Sequence, residues 1–145
     1  MVKKIILTML LLASSVMAAE LHWAKNYQAG MAEAMKENKP VLFIVSSTHC
    51  KYCLLLDKTT LHDPKVIQAL NRDFIAIRSW ADKGDYIPEA IAQHTPGLPG
   101  IWFLFPDGTP MYRPLLGYMK EGPFLNALGI VKNAFDKQQS KKVKK

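Results

Sequence analysis

Apolar positions along this chain follow two patterns, and each predicts a different element. In residues 41–45 (VLFIV), 74–77 (FIAI) and 101–105 (IWFLF) they run unbroken and are rich in β-branched and aromatic side chains. Such runs read as strands, and the lack of polar/apolar alternation, clearest in 41–45, means that both faces of the sheet are covered by helices. Elsewhere the apolar residues recur at helical spacing, as in Trp23, Tyr27, Met31, Ala34 and Met35, then Val66, Ile67 and Leu70, then Phe124, Leu128, Val131 and Phe135. These predict amphipathic helices with one buried face each. The punctuation agrees: the polar run 36–39 and Pro40 close the first helix, and Asp63-Pro64 supplies an N-cap and a first helical residue for a later one. Another helix begins near Cys50, carries Leu54, Leu55 and Leu56, and extends to about Thr60. A polar loop over 81–85 and a short helical segment over 87–94 follow the second strand, and the turn cluster TPGLPG at 95–100 leads into the third. The tight turn Pro106-Asp107-Gly108-Thr109 then returns residues 111–117 antiparallel as a fourth strand. The prediction is an α/β domain with a central mixed four-stranded sheet, helices on both faces and an N-terminal helix.

The two ends are set apart from this pattern. Residues 1–19 combine Lys3 and Lys4, an apolar stretch over 5–12 and the small residues Ala18 and Ala19, which is the arrangement of a cleaved export signal. The apolar stretch is shorter than the ~20 residues a membrane-spanning anchor needs. The formal charge of +7 belongs mostly to the ends. Between Glu20 and Asp136 the count is 12 Lys+Arg against 12 Asp+Glu, so residues 20–136, read as one domain, are formally neutral. Residues 137–145 hold Lys137, Lys141, Lys142, Lys144 and Lys145, and read as a basic, solvated, disordered tail. A nucleic-acid-binding surface is not indicated.

The chemistry is concentrated at Thr48-His49-Cys50-Lys51-Tyr52-Cys53, which holds the only two cysteines. A disulfide closed over so short a loop removes little entropy from the unfolded chain and is comparatively easy to reduce, so the pair reads as a redox centre rather than a staple. An exported protein with no wider disulfide framework fits that reading. The strand before the pair and the helix after it place Cys50 where unpaired N–H groups and the helix dipole favour a thiolate, and Lys51 adds a positive charge beside it.

Strand, Cys50-Lys51-Tyr52-Cys53, helix, together with Leu98-Pro99 ahead of the third strand and Asp107-Gly108 in the hairpin after it, resembles the thioredoxin fold. The run Thr59-Thr60-Leu61-His62-Asp63-Pro64-Lys65-Val66 is similar to exported thioredoxin-like thiol:disulfide interchange proteins, including the C-terminal domain of the membrane thiol:disulfide interchange reductase. The resemblance implies that Leu98-Pro99 is a cis bond whose backbone edge at Leu98 pairs with an extended substrate, with Tyr52 widening the contact. Trp102, inside an apolar strand, belongs to the core. Two departures stand out: His49 occupies the place of the family's tryptophan, and Ile44 that of a buried acid six positions before the first cysteine. His49 either tunes the Cys50 thiol or only caps the loop.

The function expected is thiol–disulfide exchange in the periplasm by Cys50 and Cys53, with His49, Lys51 and Pro99 supporting them and no cofactor or bound metal. Expected partners are protein thiols and disulfides, with a membrane thiol:disulfide reductase as one electron donor, and the expected state is a monomer. A metal-handling module using His49, Cys50 and Cys53 for Cu(I) or Zn is the alternative, and an interaction domain with an idle cysteine pair is a third. Direction is open between reductase, oxidase and isomerase.

Overall fold

The computed structural model describes residues 19–144, so the expected export signal lies almost wholly outside the described residues. The unbroken apolar runs are strands: β1 is Val41–Ser46, β2 is Ile75–Trp80 and β3 is Gly100–Leu104. Strand β4, Leu115–Leu116, completes a sheet of order β2-β1-β3-β4. β1 pairs parallel with β2 and antiparallel with β3, and β3 pairs antiparallel with β4. Five α-helices surround the sheet among the described residues: α1 Tyr27–Glu37, α2 Lys51–Lys58, α3 Pro64–Asp73, α4 Glu89–Gln93 and α5 Glu121–Val143.

Every residue of β1 is buried, and alternation along it divides the core in two. Leu42 and Ile44 face one side, with Ile101 and Phe103 of β3, and pack with Leu56, Val66, Leu70, Phe124 and Leu128. Val41, Phe43 and Val45 face the other, with Ile77, Trp102 and Leu104, and pack with Ala34 and Ile91. The period of two in a strand assigns neighbouring residues to opposite layers, so each layer has its own helices. Close packing explains Gly30 in α1, since a β-carbon there would lie 2.5 Å from Ile77 Cδ1 and 2.9 Å from Ala24 Cβ.

Several boundaries differ from the sequence expectation. Asn26 caps α1, its side chain accepting from Ala29 N, so Trp23 precedes the helix and makes a single parallel bridge to Ala76 of β2. Met35, at the end of the predicted stripe, is exposed. Strand β4 is far shorter than 111–117, because Pro114 lacks an N–H donor and Gly117, at φ 85°, turns the chain away. Helix α5 continues through 137–143, where an unstructured tail is expected. Lys and Gln are good helix formers, the Lys132–Asp136 pair supports that face, and Lys141 and Lys142 complement the dipole in the last turn. Asp63 and Pro64 act as predicted: the Asp63 carboxylate accepts from Lys65 N and Val66 N.

Candidate active site: a cysteine pair where a strand meets a helix

Ser46 ends β1, and the three residues after it turn the chain into α2. Ser47 seeds that turn, its carbonyl accepting from Cys50 N at 3.3 Å and its hydroxyl from His49 N at 3.2 Å. Cys50 is the N-cap of α2 and is joined to Cys53 by a disulfide with a Cα–Cα distance of 5.2 Å. The Cys53 N–H donates to Cys50 Sγ at 3.2 Å. A helix-start N–H aimed at that sulfur favours negative charge on it once the disulfide opens. The two cysteines differ in access: Cys50 is half-buried, whereas Cys53, turned inward by the helix, is 3% exposed.

The other predicted residues surround this pair in different ways. Lys51 is exposed at the first turn of α2, and Tyr52 is 54% exposed. The Leu98–Pro99 bond is cis, Leu98 is half-buried, and the Pro99 carbonyl accepts from Gly117 N. Gly100 pairs with Val45, so the register sets Pro99 beside the carboxyl end of β1, next to the loop that delivers Cys50. Trp102 is buried, with Nε1 donating to Thr95 Oγ1 at 3.0 Å, which places it in the core as expected.

His49 is 88% exposed at its side chain, and its Nδ1 lies 3.1 Å from Asp82 Oδ2. Asp82 also accepts from Thr48 N, at 3.1 Å to each carboxylate oxygen, and from the Thr48 hydroxyl. These bonds lower the Asp82 pKa from 3.8 to about 2; the Thr48 hydroxyl contributes most, and His49 adds to it. Sequence reading missed Asp82. It sits in the short 3-10 turn Ala81–Lys83 after β2 and reaches the cysteine loop because Ser46 and Trp80 are register partners at the ends of β1 and β2.

Ile44, where the family has an acid, is buried to 1% exposure in an apolar cluster. Its register partner on β2 is Arg78. The Arg78 guanidinium pairs at 2.5 Å with Asp57, one helical turn after Cys53, and stacks on Trp23 and Trp80 at 4.3 and 4.5 Å. Charge in this layer is therefore brought by α2 and β2 in place of β1. Among the described residues no three His, Cys, Asp or Glu side chains converge as a metal-holding group, and no helix is long and apolar enough to cross a membrane.

Comparison with known proteins agrees with this geometry. The family model for thioredoxin-like domains matches residues 27–132. The solution structure of a thioredoxin from Thermus thermophilus superposes with a TM-score of 0.64 at 28% identity, covering 79% of this chain and 88% of that one. The oxidised DsbD C-terminal domain of Neisseria meningitidis gives 0.51 at 31% identity, covering 68% and 87%. Among curated proteins, Anterior gradient protein 2 of Xenopus laevis is 28% identical over 80 residues, which is 50% of this chain and 43% of that protein. The chain thus spans less than half the length of the curated relatives it matches.

Proposed function

The chain belongs to the thioredoxin-like domain family, and from that premise we propose that it is a periplasmic thiol–disulfide oxidoreductase whose exchange centre is Cys50–Cys53. One observation carries the reading: the pair is a disulfide at the start of α2, with Cys50 half-buried and Cys53 fully buried. In the reducing direction the Cys50 thiolate attacks a partner disulfide, forms a mixed disulfide and releases one partner thiolate. Cys53, having lost its proton, then attacks Cys50 Sγ, restores the intramolecular disulfide and releases the second partner thiolate. Two electrons pass to the partner, and the oxidising direction reverses each step. The Cys53 N–H, the helix dipole, Lys51 and His49 favour the Cys50 thiolate, while Leu98 and Tyr52, with the buried Pro99 behind Leu98, form the surface that receives the partner chain.

The partners of this reading are protein thiols and disulfides, with a membrane thiol:disulfide reductase as electron donor and the protein acting as a monomer. The signal-like residues 1–19 and the likeness to the DsbD C-terminal domain support the periplasm. The test is a trapping experiment. Cys53→Ser should accumulate mixed disulfides with partner proteins and Cys50→Ser few; equal trapping by the two variants would overturn the assignment of roles. Insulin reduction by the wild type, measured with and without Cu(I) or Zn, separates exchange from metal handling.

A further inference from the structure

Beside the cysteine pair, on the outward side of α2, lies an open groove of about 440 Å³ lined by Thr48, His49, Lys51, Leu54, Leu55 and Lys58. Its floor is apolar: Leu54 and Leu55 are each 36% exposed, while the inward face of the same helix is already served by Cys53 and Leu56. Lys51, Leu55 and Lys58 recur at i, i+4 and i+7, so the two lysines bracket the leucine along one helix face. Both lysines are exposed, and among the described residues neither makes an ion pair.

The carboxylates of the neighbourhood are engaged elsewhere. Asp57 is held by Arg78, Asp82 by Thr48 and His49, and Asp85 by Trp80 N. The groove therefore combines exposed apolar surface with uncompensated positive charge, in a domain that is formally neutral over residues 20–136. We propose that this groove docks an acidic, apolar segment of the protein whose cysteine exchanges with Cys50, an apolar side chain seating on Leu54 and Leu55 and its flanking carboxylates facing Lys51 and Lys58. The proposal rests on the reading of Cys50–Cys53 as an exchange centre and names the substrate class of that centre. Exposed charges act here by steering and selection more than by affinity, so the preference is sensitive to salt.

The test uses protein reduced at Cys50 and Cys53 and two synthetic disulfide-linked peptides. One carries glutamates around a leucine beside its cysteine, and the other carries lysines at the same positions. Two electrons and two protons pass from the protein dithiol to the peptide disulfide, leaving the Cys50–Cys53 disulfide and two peptide thiols. The expected result is a rate advantage of about tenfold for the glutamate peptide at low salt, shrinking at ~0.5 M salt. Lys58→Glu should abolish or invert the ratio, and Leu54→Ser with Leu55→Ser should slow both peptides. Exchange with bis(2-hydroxyethyl) disulfide, which is uncharged and too small to span the groove, reports on the cysteines alone and should be alike in all three proteins. Equal rates for the two peptides, or an unchanged ratio in Lys58→Glu, would overturn the docking groove. Failure of the wild type to react even with the small disulfide would overturn the exchange reading beneath it.

Discussion

At the scale of single residues, the loop before Cys50 is held by hydrogen bonds from Thr48 and His49 that converge on Asp82. His49→Ala removes one contact and, in the proposed mechanism, a positive charge near the thiolate. It should therefore raise the Cys50 pKa and move the redox potential to a more reducing value, because whatever stabilises the thiolate stabilises the reduced form. A thiolate absorbance titration beside a glutathione equilibrium measures both quantities; no change in either leaves His49 as a loop cap. Asp82 gives a separate prediction. Its pKa is depressed from 3.8 to about 2, so it contributes stability that is present above its unfolded value and lost as pH falls through the folded one. The stability gap between wild type and Asp82→Asn should therefore be constant above about pH 5 and close between pH ~4 and pH ~2, as read by urea unfolding.

At the scale of elements, the caps decide where helices begin, and their side chains were visible in the sequence. Asp63 accepts from two N–H groups at the start of α3 while Pro64 fills the first helical position. Asp63→Ala should cost ~1 kcal/mol, seen as a lower urea midpoint with an unchanged slope. Exchange at Cys50 should be unaffected. Cys50 caps α2 differently: its sulfur, in place of an oxygen, accepts the Cys53 N–H. The cap of this helix is thus its reactive atom, which is why the start of α2, more than its length, matters to the chemistry. Helix α5 shows the limit of composition. Its lysine-rich end reads as disordered, yet the helix begun by Phe124, Leu128 and Val131 against the sheet continues through Val143, since propagation is easier than nucleation.

At the scale of the whole molecule, Arg78 ties three parts of the chain together: Trp23 from the N-terminal segment, Trp80 from β2 and Asp57 from α2. A lysine cannot reproduce a planar guanidinium stacked between two indoles and paired with a carboxylate. Arg78→Lys should destabilise the fold by ~1–2 kcal/mol, and Arg78→Met by more, because it leaves the half-buried Asp57 without its partner. Thermal unfolding monitored by tryptophan fluorescence reads both, and a variant as stable as wild type would remove Arg78 from this role. None of this clamp was legible in the sequence, where Trp23 is one step in a helical stripe and Arg78 falls just past the apolar run 74–77. What the sequence determined by itself was local: unbroken apolar runs became strands, helical spacing became the buried faces of α3 and α5, Asp63-Pro64 became a helix start, and two cysteines three positions apart fell at a strand–helix junction. Those features depend on neighbours within a few residues, whose spacing is written in the chain. The tertiary structure alone decided that Asp82 meets Thr48 and His49 and that Arg78 lies beside Ile44, whereas the place of Pro99 next to the cysteine loop was implied by the family resemblance. Each depends on the register of β1 with β2 or β3, and register is set by how two layers of side chains interlock across the sheet, which no single segment encodes.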